Sequence, residues 1–240
     1  MDTLHLDQHI SQQFNVDLES LRTEFLEMGG LVEDQLADAI RAIETADGDL
    51  AEKVLEIEKE VDTREIKLDR ECTMILARRQ PAASDLRLVL MVTKATRDLE
   101  RMGDEAAKIA KMALAMNAEG GESPRGYVEL RHLASQVARL VNISLDAFAR
   151  FDVYAAIKVV RDDKDIDIEY KSSLRELITY MMEDPRAIKR VMNIMWALRA
   201  LERIGDHARN IAEHVIYLVH GMDVRHISPS EIEKQLESKL

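Results

Sequence analysis

The chain of 240 residues has little cysteine, no clusters of basic residues and no long apolar run, and each of these absences excludes a class of protein. Its single cysteine, Cys72, excludes a disulfide framework and a cysteine-based metal knuckle, and it favours a reducing compartment. The formal net charge is -12 and Lys/Arg clusters are missing, which argues against direct nucleic-acid binding because phosphates require a basic face. No apolar run approaches the roughly 18 residues of a membrane span, and residues 1–15 lack the apolar centre of a signal peptide. We therefore predict a soluble, cytoplasmic protein.

Proline is also scarce, and all four prolines stand outside the periodic segments of the chain. Because proline removes a backbone donor and clashes with the preceding helical turn, these positions mark junctions. Together with Gly48, Gly120, Gly121 and Gly221, they delimit six segments near residues 18–46, 49–79, 82–117, 125–151, 153–183 and 186–220. Clusters of aromatic and β-branched residues bounded by turns are missing, so a sheet is not expected. The predicted fold class is all-α, with six long helices.

Each segment repeats its apolar residues at intervals of three and four, which is typical of a helix with one buried face. The third and sixth segments also resemble each other at a constant shift of 102 residues, with the string Glu-Arg-x-Gly-Asp at 100–104 and again at 202–206. At a shift of 105 the earlier helices align, with Asp47 on Asp152. An internal repeat of this length indicates duplicated structural units. We predict two tandem, homologous, antiparallel three-helix bundles, residues 1–120 and 121–240, the second with a short C-terminal tail.

Acidic pairs with a spacing of four residues recur at aligned positions of both copies. This spacing places two carboxylates one turn apart on a single helix face, where their oxygens could bind one hard cation or bridge two. Carboxylates accept Mg²⁺, Mn²⁺, Fe and Zn²⁺, so the metal is not specified. The alternative is a solvated surface stripe held by salt bridges. The predicted metal-binding pairs are Glu58 and Asp62, Glu100 and Asp104, Asp163 and Asp167, and Glu202 and Asp206.

Arginines accompany the acids of the third and sixth helices: Arg97, Arg101, Arg199 and Arg203. They could pair with the neighbouring carboxylates, or they could hold a phosphate or a partner's carboxylate through bidentate contacts. Pairing is the simpler interpretation. The helical wheel places Arg97, Glu100, Arg101, Asp104 and Lys108 on the outward side of the third helix, opposite its apolar stripe. The sixth helix repeats this outward pattern with Arg199, Glu202, Arg203, Asp206 and Asn210.

Two glycines inside the repeated strings, Gly103 and Gly205, each cost about 1 kcal/mol in a helix interior, so they indicate either close helix packing or clearance for a ligand. The lone tryptophan, Trp196, aligns with Lys94, and it serves either in packing or as an interface anchor. A ferritin-like di-iron centre needs Glu-x-x-His on two helices, but the only instance, Glu129 with His132, has no counterpart in the other copy. Gly-rich phosphate loops, nucleophile elbows and HExxH are missing, so no catalytic residue is predicted.

Several strings in combination resemble the PhoU family of phosphate-transport accessory proteins, and the similarity covers nearly the whole chain. They are the two Glu-Arg-x-Gly-Asp strings, His9 to Phe14, Arg79 to Arg87, and Asp146 to Arg150. The resemblance implies a cytoplasmic, often dimeric protein that links a phosphate-specific ABC transporter to a membrane sensor histidine kinase and restrains the phosphate-starvation response. It also implies that the four acidic pairs correspond to those through which some members bind transition-metal clusters. Asp85, Arg87 and Arg150 join the four arginines as candidate partner- or anion-binding residues.

Three hypotheses follow. The first is a non-enzymatic regulatory adaptor whose acidic faces bind metal and whose surfaces contact the transporter ATPase subunit and the kinase. The second is a carboxylate-bridged di-metal enzyme of helical-bundle type, which requires open coordination positions and a pocket. The third is a structural bundle that only forms oligomers. For the adaptor we expect contact with membranes only through membrane proteins.

Overall fold

The structure, a computed structural model, describes residues 12–119 and 127–237. The described residues contain helices and no strands, and the elements in chain order are α1 (Gln12–Thr45), α2 (Gly48–Arg79), α3 (Ala83–Glu119), α4 (Tyr127–Arg150), α5 (Val153–Glu183), a 3-10 turn (Pro185–Ala187), α6 (Ile188–His220) and α7 (Pro229–Glu237). The all-α prediction and its six long helices are confirmed. None of these helices combines the length and the apolar character needed to cross a lipid bilayer.

The helices form two antiparallel bundles, α1–α2–α3 and α4–α5–α6, as the repeat predicts. Within each bundle the apolar stripe of every helix is buried, and the two cores form one continuous apolar cluster. The predicted boundary at residues 120 and 121 lies outside the described residues, as do His9, Ile10 and Ser11 of the first string.

Equivalent aspartates begin the second helix of each bundle. Asp47 Oδ1 accepts a hydrogen bond from the Leu50 amide at 3.0 Å, and Asp152 Oδ1 accepts one from the Ala155 amide at 3.0 Å. Both residues have extended backbones, which is the usual geometry of an N-cap that satisfies an otherwise unpaired helix amide. The duplication has therefore kept the helix-start signal as well as the core.

Loss of either cap should lower stability by a similar amount. We expect Asp47→Ala and Asp152→Ala each to reduce the free energy of unfolding by about 1 kcal/mol, measured by urea denaturation. Asp152→Asn, which keeps the acceptor oxygen, should lose much less. An unchanged midpoint in both alanine variants would contradict this account of the caps.

The two bundles contact each other through α3 with α6 and through α1 with α4. At the α1–α4 contact, the rings of Phe25 and Phe148 meet edge to face with centroids 4.6 Å apart, and neither ring is exposed. Arg22 lies over the Phe151 ring at 4.8 Å and donates a hydrogen bond to the Ala149 carbonyl. Aromatic burial of this size contributes strongly to stability, so the bundles are held together by a true core.

The C-terminal tail contains a helix that sequence periodicity did not predict. Helix α7 begins with Pro229, and Ser228 Oγ accepts a hydrogen bond from the Glu231 amide at 3.3 Å. Ile232 is buried, and Glu233 pairs with Arg161 of α5. Nine residues are too few to show a helical period clearly, which is why the sequence did not predict α7. Because a helix this short is marginal in isolation, its packing on α5 stabilises it.

Candidate functional site

The repeated acidic residues lie in two equivalent places. We call the outer face between α2 and α3 the first groove, with Asp62, Glu65, Glu100 and Asp104. We call the outer face between α5 and α6 the second groove, with Asp163, Asp167, Glu202 and Asp206. Because the helices of each pair are antiparallel, acids that are far apart in sequence become neighbours.

Like charges crowd the first groove. Burial raises the pKa of Glu100, and the charges of Asp104, Glu65 and Asp62 raise it further, against the opposing effect of Arg101. Arg101 Nε lies 3.2 Å from Glu100 Oε2, and its Nη1 lies 3.5 Å from Asp104 Oδ2. The arginine is exposed and neutralises the groove only in part, so the carboxylates still repel one another.

Glu65 is a member of the first groove that sequence reasoning missed. Burial is the main cause of its raised pKa, and Asp69 and Asp62 act in the same direction, whereas Arg97 opposes them. The aligned residue in the other copy is Tyr170, so a search for acids present in both copies could not find Glu65. Glu58, which the sequence predicts as the metal-binding partner of Asp62, lies on α2 seven residues before Glu65 and is half-buried.

The second groove contains two buried acids and an arginine, Arg209, that has no equivalent in the first groove. Asp163 is 5% exposed and Glu202 is 8% exposed, so Glu202 is less accessible than the helical wheel of the sixth helix predicts. The side chains of Asp167 and Asp206 are 48% and 41% exposed. Arg209 Nη1 lies 2.7 Å from Asp163 Oδ2 and 3.3 Å from Asp206 Oδ1. Burial raises the pKa of Asp163 even though the Arg209 charge and hydrogen bond lower it.

Glu202 is held by Arg199, whose Nη1 lies 2.6 Å from Glu202 Oε1. The guanidinium of Arg199 also lies over the Tyr170 ring at 5.9 Å. The second carboxylate oxygen of Glu202 is buried without a hydrogen-bond partner. Burial raises the pKa of Glu202, and Asp206, Asp167 and Asp163 add to the increase, against Arg199.

The two grooves therefore differ in charge although their acidic pairs are equivalent. Arg209 of the second groove aligns with Ala107 in the first bundle. Each groove contains four acids, but the arginine that pairs with Glu100 and Asp104 in the first groove is exposed, whereas Arg209 in the second groove is partly buried and makes a shorter pair with Asp163.

Close helix packing explains the repeated glycines. A Cβ atom on Gly103 would lie 3.1 Å from Gln35 Oε1 and 3.3 Å from Val61 Cγ1. A Cβ atom on Gly205 would lie 3.4 Å from Ile166 Cδ1. Both glycines thus allow the third helix of a bundle to approach its neighbours, and the space beside them is filled by protein.

Three of the remaining predicted arginines, Arg87, Arg150 and Arg203, contact other groups of the protein, whereas Arg97 is exposed on α3 and acts on Glu65 through its charge. Arg203 Nε lies 3.0 Å from Glu105 Oε1 and so joins α6 to α3. Arg87 Nε donates a hydrogen bond to the Leu218 carbonyl at 2.9 Å, and Arg150 Nε lies 2.8 Å from Asp146 Oδ1 on the surface of α4. Asp85, at the start of α3, is buried. Pairing with protein groups is thus the arrangement seen for Arg87, Arg101, Arg150, Arg199 and Arg203.

Metal ligation requires several donors that converge on one point. Within residues 12–119 and 127–237, no three His, Cys, Asp or Glu side chains stand in a position to hold an ion together. The grooves nevertheless supply the hard oxygen donors that divalent cations prefer, and in the first groove the charges of Asp104, Glu65 and Asp62 help to raise the pKa of Glu100. The donor chemistry of the first groove fits a hard cation, and the side chains would have to close around it.

Comparison with known proteins explains the duplication. The model of the PhoU domain matches the chain twice, at residues 25–113 and 130–215. The chain belongs to the PhoU family. It is 59% identical over 233 residues to the phosphate-specific transport system accessory protein PhoU homolog of Pseudomonas aeruginosa, covering 97% of this chain and 96% of that protein. It is 45% identical over 239 residues to the accessory protein PhoU of Escherichia coli K12, covering 100% and 98%.

Solved PhoU structures have the same fold. The crystal structure of PhoU from Pseudomonas aeruginosa is similar with a TM-score of 0.85 at 60% identity, covering 87% of this chain and 100% of that one. The phosphate transport system regulatory protein PhoU from Streptococcus pneumoniae gives a TM-score of 0.80 at 28% identity, covering 88% and 98%. Tandem three-helix bundles are therefore the shared architecture.

A polar cluster between the two PhoU domains was also missed by sequence reasoning. Asp98 of α3 lies 2.8 Å from His207 Nδ1 and 3.4 Å from His214 Nε2, and it accepts a hydrogen bond from Asn210 Nδ2 at 3.0 Å. Burial acts to raise the pKa of Asp98, but these hydrogen bonds outweigh it and hold the pKa at about 2. Asp98 aligns with Ala200, and His207 aligns with Glu105. A search for aligned positions at which the two copies differ in polarity or charge could have pointed to this cluster.

Proposed function

We propose that the chain is a non-enzymatic regulatory adaptor of a phosphate-specific transport system. It restrains the phosphate-starvation regulon while phosphate is plentiful, by contacting the ATPase subunit of the transporter and the phosphate-sensing histidine kinase. It acts in the cytoplasm as a homodimer, reaches the membrane only through those proteins and does not bind nucleic acid directly. The observation that carries the proposal is the similarity, over nearly the full chain, to accessory proteins of that transport system.

The arrangement of residues in the two grooves suits binding of a partner protein better than catalysis. Both grooves contain acids that already pair with arginine, and the grooves stand on one scaffold with a continuous core. A surface of this kind can recognise a partner's charges with little rearrangement. It is therefore consistent with an adaptor that presents two related faces.

Direct binding tests the adaptor role. We expect the purified chain to bind the purified ATPase subunit and the cytoplasmic part of the kinase with Kd values on the order of micromolar, measured by calorimetry. Sedimentation equilibrium of the chain alone should give twice the monomer mass. Failure to bind either protein would contradict the proposal.

We also propose that the first groove binds a divalent cation such as Mg²⁺, Mn²⁺, Fe²⁺ or Zn²⁺ more tightly than the second. Asp62, Glu65, Glu100 and Asp104 would supply the oxygen donors, and the cation would neutralise their mutual repulsion. In the second groove, Arg209 already neutralises Asp163 and Asp206. Such an ion would stabilise the α2–α3 face rather than perform chemistry.

Glu100→Gln tests this proposal. Because the pKa of Glu100 is raised in the folded state, its charge lowers stability at neutral pH, and metal-free Glu100→Gln should be more stable by roughly 0.5 kcal/mol. The stability that protonation of Glu100 provides is present below its ordinary pKa and is lost as the pH rises through the raised value. The difference in free energy of unfolding between wild type and Glu100→Gln should therefore become smaller at acidic pH. The variant should bind Mn²⁺ on the order of tenfold more weakly in calorimetry. Glu202→Gln, at the aligned position of the second groove, is the control and should change the affinity for Mn²⁺ little. Equal affinity of Glu100→Gln and wild type for Mn²⁺ would contradict a metal site in the first groove.

A further inference from the structure

The second groove contains a counter-ion that belongs to the chain itself, the side chain of Arg209 on α6. Its Nη1 lies 2.7 Å from Asp163 Oδ2 on α5 and 3.3 Å from Asp206 Oδ1, and its Nε lies 3.6 Å from Glu213 Oε1. The Arg209 side chain is 35% exposed, so most of it is removed from solvent. One guanidinium therefore contacts three carboxylates from two helices.

Arg209 lies in the same stripe of α6 as the acids of the second groove. At 100° per residue, it stands about 20° from Glu202 and about 60° from Asp206 around the helix axis. Its contact with Asp163 shows that the guanidinium lies between α5 and α6. A cation held by acids of both helices would lie in the same place.

The first bundle has no arginine at this place. Arg209 aligns with Ala107, and its partner Asp163 aligns with Glu58. Ala107 is fully buried, and its methyl group carries no charge. The acids of the grooves are thus repeated in both copies, whereas this arginine is present in one copy only.

A guanidinium and a divalent ion cannot occupy this position together. Mg²⁺ binds oxygen at about 2.1 Å, so an ion on Asp163 Oδ2 would lie no more than about 5 Å from Arg209 Nη1. Positive charges this close repel each other strongly in a partly buried site. Metal binding to Asp163 and Asp206 would therefore require the arginine to leave its three carboxylates.

Glu202 shows that the second groove still has an acceptor that arginine does not satisfy. Its Oε1 pairs with Arg199 at 2.6 Å, but its Oε2 is buried without a hydrogen-bond partner. Such an oxygen destabilises a protein unless a donor or a cation meets it. The oxygen donors for a hard cation are thus present in the second groove, and the charge of Arg209 opposes such an ion.

We propose that Arg209 keeps divalent cations out of the second groove and joins α5 to α6 in place of a metal ion. The proposal rests on the metal binding proposed above for the first groove, and it assigns the difference between the grooves to one side chain. It departs from the resemblance to metal-binding members of the family, which implies that the acids of both grooves bind metal.

Arg209→Gln tests the proposal in a protein whose first groove is weakened by Glu100→Gln. Calorimetric titration with Mn²⁺ should show binding on the order of tenfold tighter for Glu100→Gln/Arg209→Gln than for Glu100→Gln, because the acids of the second groove have lost their counter-ion. Arg209→Lys keeps the charge and should give no gain. Lys171→Gln is the matched control, since it removes an equal charge from a residue that pairs with Asp167 at 3.7 Å, and it should leave the affinity unchanged.

Two further measurements locate the acquired ion and check the fold. Glu202→Gln, added to Glu100→Gln/Arg209→Gln, should remove most of the gain in Mn²⁺ affinity. Mn²⁺ should also raise the Tm of Glu100→Gln/Arg209→Gln more than that of Glu100→Gln, because an ion that binds only the folded state stabilises it. Circular dichroism verifies folding, and Arg209→Met is the second uncharged variant if Arg209→Gln does not fold.

The outcomes separate this proposal from the metal site of the first groove. Equal Mn²⁺ affinity of Glu100→Gln with and without the folded, uncharged variant of Arg209 would overturn the role of Arg209. A Mn²⁺ site in wild type that Glu202→Gln removes would overturn it as well. If wild type binds no Mn²⁺, the metal site of the first groove is wrong, and a gain of Mn²⁺ binding in Arg209→Gln alone still supports the role of Arg209.

Discussion

Phe148→Ala is expected to lower the free energy of unfolding by about 3–5 kcal/mol, the largest effect that we predict for a single residue. Phe148 is fully buried on α4 and packs edge to face on Phe25 of α1, so its loss opens a cavity where the two bundles meet. The cost combines lost apolar burial with the cavity that neighbouring helices cannot refill. Urea denaturation followed by circular dichroism measures it.

Tyr154→Ala is the control for Phe148→Ala, because Tyr154 lies on the next helix and is 78% exposed. Its substitution should change the free energy of unfolding by no more than about 0.5 kcal/mol. A loss below about 1 kcal/mol for Phe148→Ala would mean that the α1–α4 contact is not part of the common core.

Asp98→Ala is expected to have the second largest effect, a loss of about 3 kcal/mol at neutral pH. The substitution removes the shared acceptor of His207, His214 and Asn210, which leaves polar groups between α3 and α6 without their partner. Asp98→Asn, which keeps one acceptor oxygen and the shape, should lose less. Urea denaturation at neutral pH compares the three proteins.

The pH dependence of Asp98→Ala checks its cause. The pKa of Asp98 is about 2 in the folded protein, below the ordinary aspartate value of about 3.9. A carboxyl with a depressed pKa contributes stability that is present above the ordinary value and is lost as the pH falls through the folded value. The difference between wild type and Asp98→Ala should therefore narrow as the pH falls below about 4. A difference that stays constant in acid would mean that packing, not the charge, is responsible.

The repeat made much of the fold predictable. The apolar period of the third segment predicted the buried face of α3, because residues at intervals of three and four lie on one side of a helix. The helix starts at Asp47 and Asp152 were visible as aligned residues, and both form N-caps. Features present in both copies could be found by comparing the copies.

Features that distinguish the copies could not be predicted in the same way. Glu65 joins the first groove and Arg209 joins the second, and neither has a counterpart in the other bundle. The contact of Asp98 with His207 joins residues 109 positions apart, and it depends on how the two bundles pack rather than on any local pattern. A helical wheel also cannot tell an outward side from a side covered by a neighbouring helix, which is why Glu202 is more buried than predicted.

The regulatory role can be tested in cells. A strain that lacks this gene, with a reporter for a phosphate-starvation promoter, is grown in high phosphate and compared with the same strain carrying the wild-type gene. An adaptor that restrains the response predicts high reporter expression in the deletion strain and repression after complementation. Full repression in the deletion strain at high phosphate would contradict the adaptor function.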